Sequence, residues 1–164
     1  MAQPYSNPVS IDVVRAALEY NPETGDFKFK ARRPGKVPAG TGTLLRTGYR
    51  VVRFGQQKYL LHRLAWAIHY GRWPTGEIDH INGDKSDNRI ANLREATRQQ
   101  NCTNRRAYGK SGYKGVVELN GRWMAQITID GSRRGLGVYE TPEAAHAAYV
   151  AVASKAYGEF FRAA

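Results

Sequence analysis

The segment IDHINGDKSDNRIANLREATRQQN, residues 78–101, gathers polar side chains of a few reactive kinds at definite spacings. Asp79 and His80 are adjacent at the end of a strand predicted over residues 77–81. Neighbours on a strand point to opposite faces, so one of the pair can face a metal while the other faces a substrate. Asn92 follows His80 by twelve residues, and Asn101 follows Asn92 by nine. Thr97 with Gln100 has the pattern of a capping box. It predicts a helix from residue 97 to about 106 that carries Asn101 on its first turns. Between His80 and Asn92 runs a polar loop in which Asn82, Asp84, Asp87 and Asn88 read as loop formers. The spacing D-x-[DN]-x-[DN]-G of a calcium loop is absent from it.

Hydrolysis of a phosphodiester requires a base for water, a cation to neutralise charge on phosphate and leaving oxygen, and a fixed geometry for the base. Asp79 and Asn101 offer hard oxygens suited to Mg²⁺ or Mn²⁺ rather than zinc. The side chain of His80 titrates near neutrality in its unperturbed state. Asn92 can hydrogen-bond across the loop and fix its shape.

This segment resembles the HNH nuclease motif, the ββα-metal fold, and in particular the phage-type branch in which Asn replaces the last His. LHRLAWAIHYGRWP (residues 61–74) and NLREAT (residues 92–97) resemble that branch too, and the spacings of His80, Asn92 and Asn101 match its pattern. The resemblance implies His80 as general base, Asp79 and Asn101 as ligands of one divalent cation, Mg²⁺ or Mn²⁺, and Asn92 as the loop-ordering asparagine. Asn104, one helical turn beyond Asn101, competes for the metal, and the spacing to Asn92 favours Asn101. His62 opens a helix, within reach of phosphate or the rim of the site; His69 and His146 read as structural, and Cys102 as an inert buried thiol.

The bulk charge points the same way. Lys plus Arg number 25 against 14 Asp plus Glu, a net +11 with a pI near 10.0. Such a balance calls for a polyanionic partner, and double-stranded DNA is the expected one. No acidic residue occurs from Phe27 to Gly76, a stretch that carries Arg50 and Arg53 among eleven basic residues. An acid-free run of this kind suits a phosphate backbone, and Arg105 and Arg106 extend the expected DNA contacts. One cysteine excludes a disulfide framework and a cysteine-rich zinc site, which fits a reducing cytoplasm. No apolar run approaches a membrane span, and the first ten residues lack the apolar core of a signal peptide. A cytoplasmic location is expected (the host bacterial cytoplasm if the chain is phage-encoded), with no obligate protein partner.

Upstream, residues 11–20 read as a helix capped by Ser10, and NPETGD (residues 21–26) as a turn leading into a strand over residues 27–30. Residues 34–42 read as a Gly/Pro loop, residues 49–54 and 58–61 as a hairpin about Gly55-Gln56, and residues 62–70 as a helix. Downstream of a linker at residues 107–112, three strands over 113–119, 123–129 and 135–139 are joined by Asn120-Gly121 and Asp130-Gly131, strong hairpin signals. An Ala-rich helix from Thr141-Pro142-Glu143 to about residue 157 follows, with Ala144, Ala148, Ala151 and Val152 expected against the sheet. Basic and amide groups interleaved with an aromatic, namely Lys114, Arg122, Trp123, Gln126, Arg133 and Arg134, are the expected DNA contacts of this module. YKGV, GRWMAQI, LGVY and ETPEAAHAAY, all between residues 113 and 149, resemble the APETALA/ethylene-response-factor DNA-binding domain. That likeness implies a three-stranded sheet lying in the major groove. Glu118 stands where that family carries a base-reading basic residue, and the first hairpin is short, so the target sequence does not carry over.

The expectation is an α+β protein with an HNH nuclease domain at residues 1–106 and a three-strand-plus-helix DNA-binding module at residues 113–164. The two resemblances together imply a metal-dependent, strand-nicking DNA endonuclease similar to phage homing endonucleases. The alternative is a non-cutting DNA-binding regulator on a relic HNH fold.

Overall fold

The computed structural model describes residues 9–30, 42–54, 57–104 and 110–163. The chain divides into two compact units, Met1–Arg98 and Gln99–Ala164. Its described elements are short helices and small antiparallel sheets, an α+β fold.

In the first unit, α1 (Ile11–Ala17) stops three residues earlier than its apolar spacing predicts. Leu18–Tyr20 instead forms β1, paired with β2 (Phe27–Phe29) in the register Leu18↔Phe29 and Tyr20↔Phe27. The turn between them forces this outcome. Asn21 Oδ1 accepts from the amides of Glu23 (2.9 Å) and Thr24 (3.3 Å), and Gly25 takes a φ of 77°. Once the chain is folded back, β2 offers a strand partner, and tertiary pairing overrides the helical pattern. Ser10 does precede α1, but its side chain makes no capping bond.

The next sheet has the order β3 (Thr43–Leu44), β4 (Arg50–Phe54), β5 (Gln57–Leu60). The hairpin tip at Gly55-Gln56 and residues 34–41 of the predicted loop lie outside the described residues. α2 (Leu61–Tyr70) follows without a break and ends at Gly71, whose φ of 70° closes the helix as its N–H bonds to Ala67 O. Leu61, Leu64 and Ala65 of α2 are buried with Val14, Leu18, Phe27, Tyr59, Ile78 and Leu93 in one core. β6 (Glu77–His80) and β7 (Leu93–Ala96) form a two-stranded antiparallel sheet whose Ile78 and Leu93 reach that core.

α3 (Arg98–Thr103) is shorter than predicted and leads into the second unit. There β8 (Val116–Leu119), β9 (Arg122–Ile129) and β10 (Ser132–Tyr139) make a meander in the order β10-β9-β8. Asn120 and Asp130 take positive φ (51° and 50°) with Gly121 and Gly131 behind them (76° and 77°), the type I′ geometry that matches strand twist. α4 (Pro142–Tyr157) is capped by Thr141, whose Oγ1 accepts from Ala144 N at 3.2 Å. It buries Ala145, Tyr149 and Ala153, one residue every four, whereas Ala144 and Ala151 of the expected face are exposed.

Tyr149 packs across Gly115, where a Cβ would sit 2.1 Å from Tyr149 Cδ2 on a backbone with φ of 69°. Gly115→Ala therefore forces both an overlap and a left-handed alanine. It is expected to destabilise the second unit by at least about 2 kcal/mol, read as a lowered urea midpoint at unchanged slope.

Candidate active site

The register of β6 with β7 sets Asp79 opposite Arg94 and His80 opposite Leu93. Cross-strand partners share a face, so Asp79 and Arg94 meet. Arg94 Nε and Nη2 both donate to Asp79 Oδ2, at 2.9 and 2.7 Å, and Asp79 is only 3% exposed. A buried carboxylate needs such compensation.

The loop from Ile81 to Asn92 is closed by Asn92. Ile81 N donates to Asn92 O at 2.9 Å. The Asn92 amide then works at both ends: Oδ1 accepts from Asn82 N and Nδ2 donates to Asp87 O, each at 2.9 Å. Asp84 accepts from the amide and hydroxyl of Ser86. Asp87 accepts two bonds from the Arg89 side chain, which leads in holding its carboxyl down at about 2.

His80, on the other face of β6, is buried among rings. His62 stands edge-on at 5.1 Å between centroids, Tyr49 lies 6.0 Å away, and Tyr49 and His62 are 5.0 Å apart. His80 Nε2 is 3.4 Å from Asn88 Oδ1. Burial lowers the His80 pKa from its ordinary value, against the raising effects of Asn88 and the Asp79 charge. Burial also holds His62 well below the ordinary value, with the neighbouring His80 and Arg63 adding to the effect. Both imidazoles are neutral at pH 7, and a neutral imidazole can accept a proton.

The expected site residues are thus distributed as follows. Asp79 and His80 stand side by side on opposite faces of β6, and Asn92 closes the loop that follows them, all in the first unit. Asn101 lies half-buried on α3 and Asn104 is buried just after it, both in the second unit. Among the described residues, no group of three or more His, Cys, Asp or Glu is arranged to hold a metal. Arg50 is half-buried and Arg53 exposed on β4, while Arg105 and Arg106 lie outside the described residues.

In the second unit Arg122, Arg133 and Arg134 are exposed and Gln126 is half-buried. Two of the expected DNA contacts are corrected. Lys114 is 9% exposed, with its ammonium donating to the backbone carbonyls of Thr103 and Arg162. Trp123 shares one side of β9 with Ala125 and Ile127 and packs against the Val116–Ala125–Ala145 cluster. Cys102 is also corrected, since its thiol is exposed. His146 does pack structurally, with Nδ1 3.1 Å from Lys114 O.

Sequence reasoning passed over Arg94, Tyr49 and the contact of Asn88 with His80, and it set His62 at the rim rather than in the buried interior. The spacing LHR gave His62 a place at the head of a helix, but only the fold brings that helix against His80.

Residues 59–102 match a family model described as HNH endonuclease, and these residues run from β5 through α2, β6 and β7 to Cys102 on α3. That segment is therefore similar to an HNH endonuclease domain. An uncharacterized HNH endonuclease of Acanthamoeba polyphaga mimivirus is 32% identical over 118 residues, or 70% of this chain and 62% of the mimivirus protein. The chain thus spans less than two thirds of that relative's length. No solved structure gives a significant match.

The buried neutral His62 has a consequence for stability. Below its ordinary pKa of 6.5 the unfolded chain takes up a proton that the native state refuses. The first unit should therefore lose stability as pH falls below about 6.5, at up to about 1.4 kcal/mol per pH unit for that group. His62→Phe keeps a ring in place and removes the titration. Urea unfolding at pH 7.5 and 5.5 should show a smaller difference in the variant than in the parent.

Proposed function

We propose that this chain is a metal-dependent DNA endonuclease, with His80 as general base in phosphodiester hydrolysis. The observation that carries this reading is the buried, neutral His80 beside Asp79, on a strand end whose loop is closed by Asn92, all within the segment similar to HNH endonucleases.

The donor set fits a hard cation. Asp79 would supply a carboxylate and Asn101 an amide oxygen, donors whose chemistry suits Mg²⁺ or Mn²⁺. Asp79 and Asn101 are the residues assigned to hold it. When bound, such an ion neutralises charge on the phosphate and on the departing 3′ oxygen. His80 takes the proton of the attacking water, and its lowered pKa keeps it unprotonated for that task at neutral pH. Asn92 holds the loop so that His80 and Asp79 keep their positions. Arg94 donates two hydrogen bonds to Asp79 Oδ2 and so holds the buried carboxylate in place.

One site of this kind cuts one strand, so nicking of double-stranded DNA is the expected outcome. The second unit supplies affinity through Arg122, Arg133, Arg134 and Gln126, in the manner of the plant DNA-binding domain its sequence resembles. The pairing of the two is the basis for a homing-type, phage-like role.

A second reading, a DNA-binding regulator that does not cut, is favoured by one feature: Arg94 already occupies Asp79 Oδ2. Incubation with supercoiled plasmid separates the two. With Mg²⁺ or Mn²⁺ the endonuclease converts plasmid to open circles, EDTA abolishes the conversion, and His80→Ala slows it by about 10²-fold or more without weakening a gel shift. Plasmid that is shifted but never cut under either ion selects the regulator. A His80→Ala protein cutting at the parental rate removes His80 from the mechanism.

A further inference from the structure

The hairpin of β1 and β2 lies ahead of the segment similar to HNH endonucleases, yet it touches the loop that carries the site. Three contacts fall on consecutive loop residues. Tyr20 Oη donates to Asn88 O at 2.8 Å. Ile90 N donates to Pro22 O at 3.0 Å. Gly25 backs onto the same peptide so closely that a Cβ would sit 2.6 Å from Arg89 N and 2.8 Å from Asn88 C.

Asn88 is the residue these contacts fix. It is 2% exposed, and its Oδ1 is the atom 3.4 Å from His80 Nε2. The hairpin is itself tied down. Leu18 and Phe27 belong to the core shared with Val14 and Leu64, and the rings of Tyr20 and Phe27 pack at 4.8 Å. The loop is held on another side by Lys85, whose Nζ donates to Thr47 O at 3.2 Å and lies 4.8 Å over the Tyr49 ring. A seven-residue polar stretch, NGDKSDN, would otherwise sample many conformations.

We propose that the β1–β2 hairpin is the positioning element for His80, acting through Asn88, with Tyr20 and Gly25 as positioning residues. The proposal rests on the reading of His80 as the general base. Tyr20 Oη fixes the Asn88 carbonyl, the bare Cα of Gly25 lets the turn press on the Asn88–Arg89 peptide, and the Asn88 amide then meets the imidazole. Only glycine fits at residue 25, because the position combines a φ of 77° with backbone at less than contact distance.

The test uses the full chain with Tyr20→Phe, Gly25→Ala, and Ile68→Ala as a control that thins the same core from the last turn of α2. Two readouts are taken: kcat and KM for metal-dependent DNA cleavage, and the ring nitrogen resonances of His80 by NMR. Tyr20→Phe should lower kcat roughly three- to tenfold, the effect of one lost hydrogen bond, with KM unchanged. Gly25→Ala should lower it on the order of a hundredfold. Both should move the His80 resonances, while Ile68→Ala lowers Tm and moves neither readout. The proposal is overturned if the His80 resonances stay at their parental positions in Tyr20→Phe. It is also overturned if kcat is unchanged in an enzyme that cuts, or if Ile68→Ala reproduces the loss. If the parent cuts no DNA, the nuclease reading fails and the resonances alone decide the clamp. Tyr20→Phe, which removes a single oxygen, keeps the test open should Gly25→Ala fail to fold.

Discussion

Asn92 is the residue on which the candidate site depends. β6 ends in a buried carboxylate and a buried imidazole, Asp79 and His80, and a polar segment joins it to β7; the backbone groups of that segment need partners. Asn92 supplies them from one side chain, an acceptor for Asn82 N and a donor to Asp87 O, while its own carbonyl takes Ile81 N. The amide thus closes the loop at its base.

Burial then decides the chemistry of the groups so held. His80 and His62 lie against each other with Tyr49 beside them, and exclusion of water lowers both imidazoles. The Asp79 carboxylate, on the other face, is met by the Arg94 guanidinium. One strand end therefore carries an arginine-paired carboxylate and a buried imidazole on opposite faces. That is the division of labour a hydrolytic site asks for, and it follows from strand alternation and from what each face packs against.

Sequence alone made part of this legible. The spacings of Asp79, His80 and Asn92 are local, and strand, loop and strand are consecutive, so these residues lie close along one short stretch of the fold. The C-terminal meander was readable from Asn120-Gly121 and Asp130-Gly131, whose positive φ only a few residues tolerate. β1 and β7 were not readable. Each is three or four residues long, and LEY and LREA carry no alternating pattern of their own, so their state depends on the partner strand. The buried face of α4 was misjudged because alanines on every side leave little contrast, and the large Tyr149 fixes the rotation. Lys114 and Trp123 were assigned to DNA by residue type. Which side of a sheet a residue faces, and whether a lysine stem is covered, is decided by packing. Arg94 escaped notice for a related reason: its role needs the register of a strand that sequence did not reveal.

The most direct test of the account is the anomalous diffraction of Mn²⁺ in crystals of the chain bound to duplex DNA. The account predicts one ion held by Asp79 and Asn101, with His80 facing the phosphate to be cut. An ion bound elsewhere, or DNA bound with no ion while Asp79 remains paired with Arg94, would contradict it.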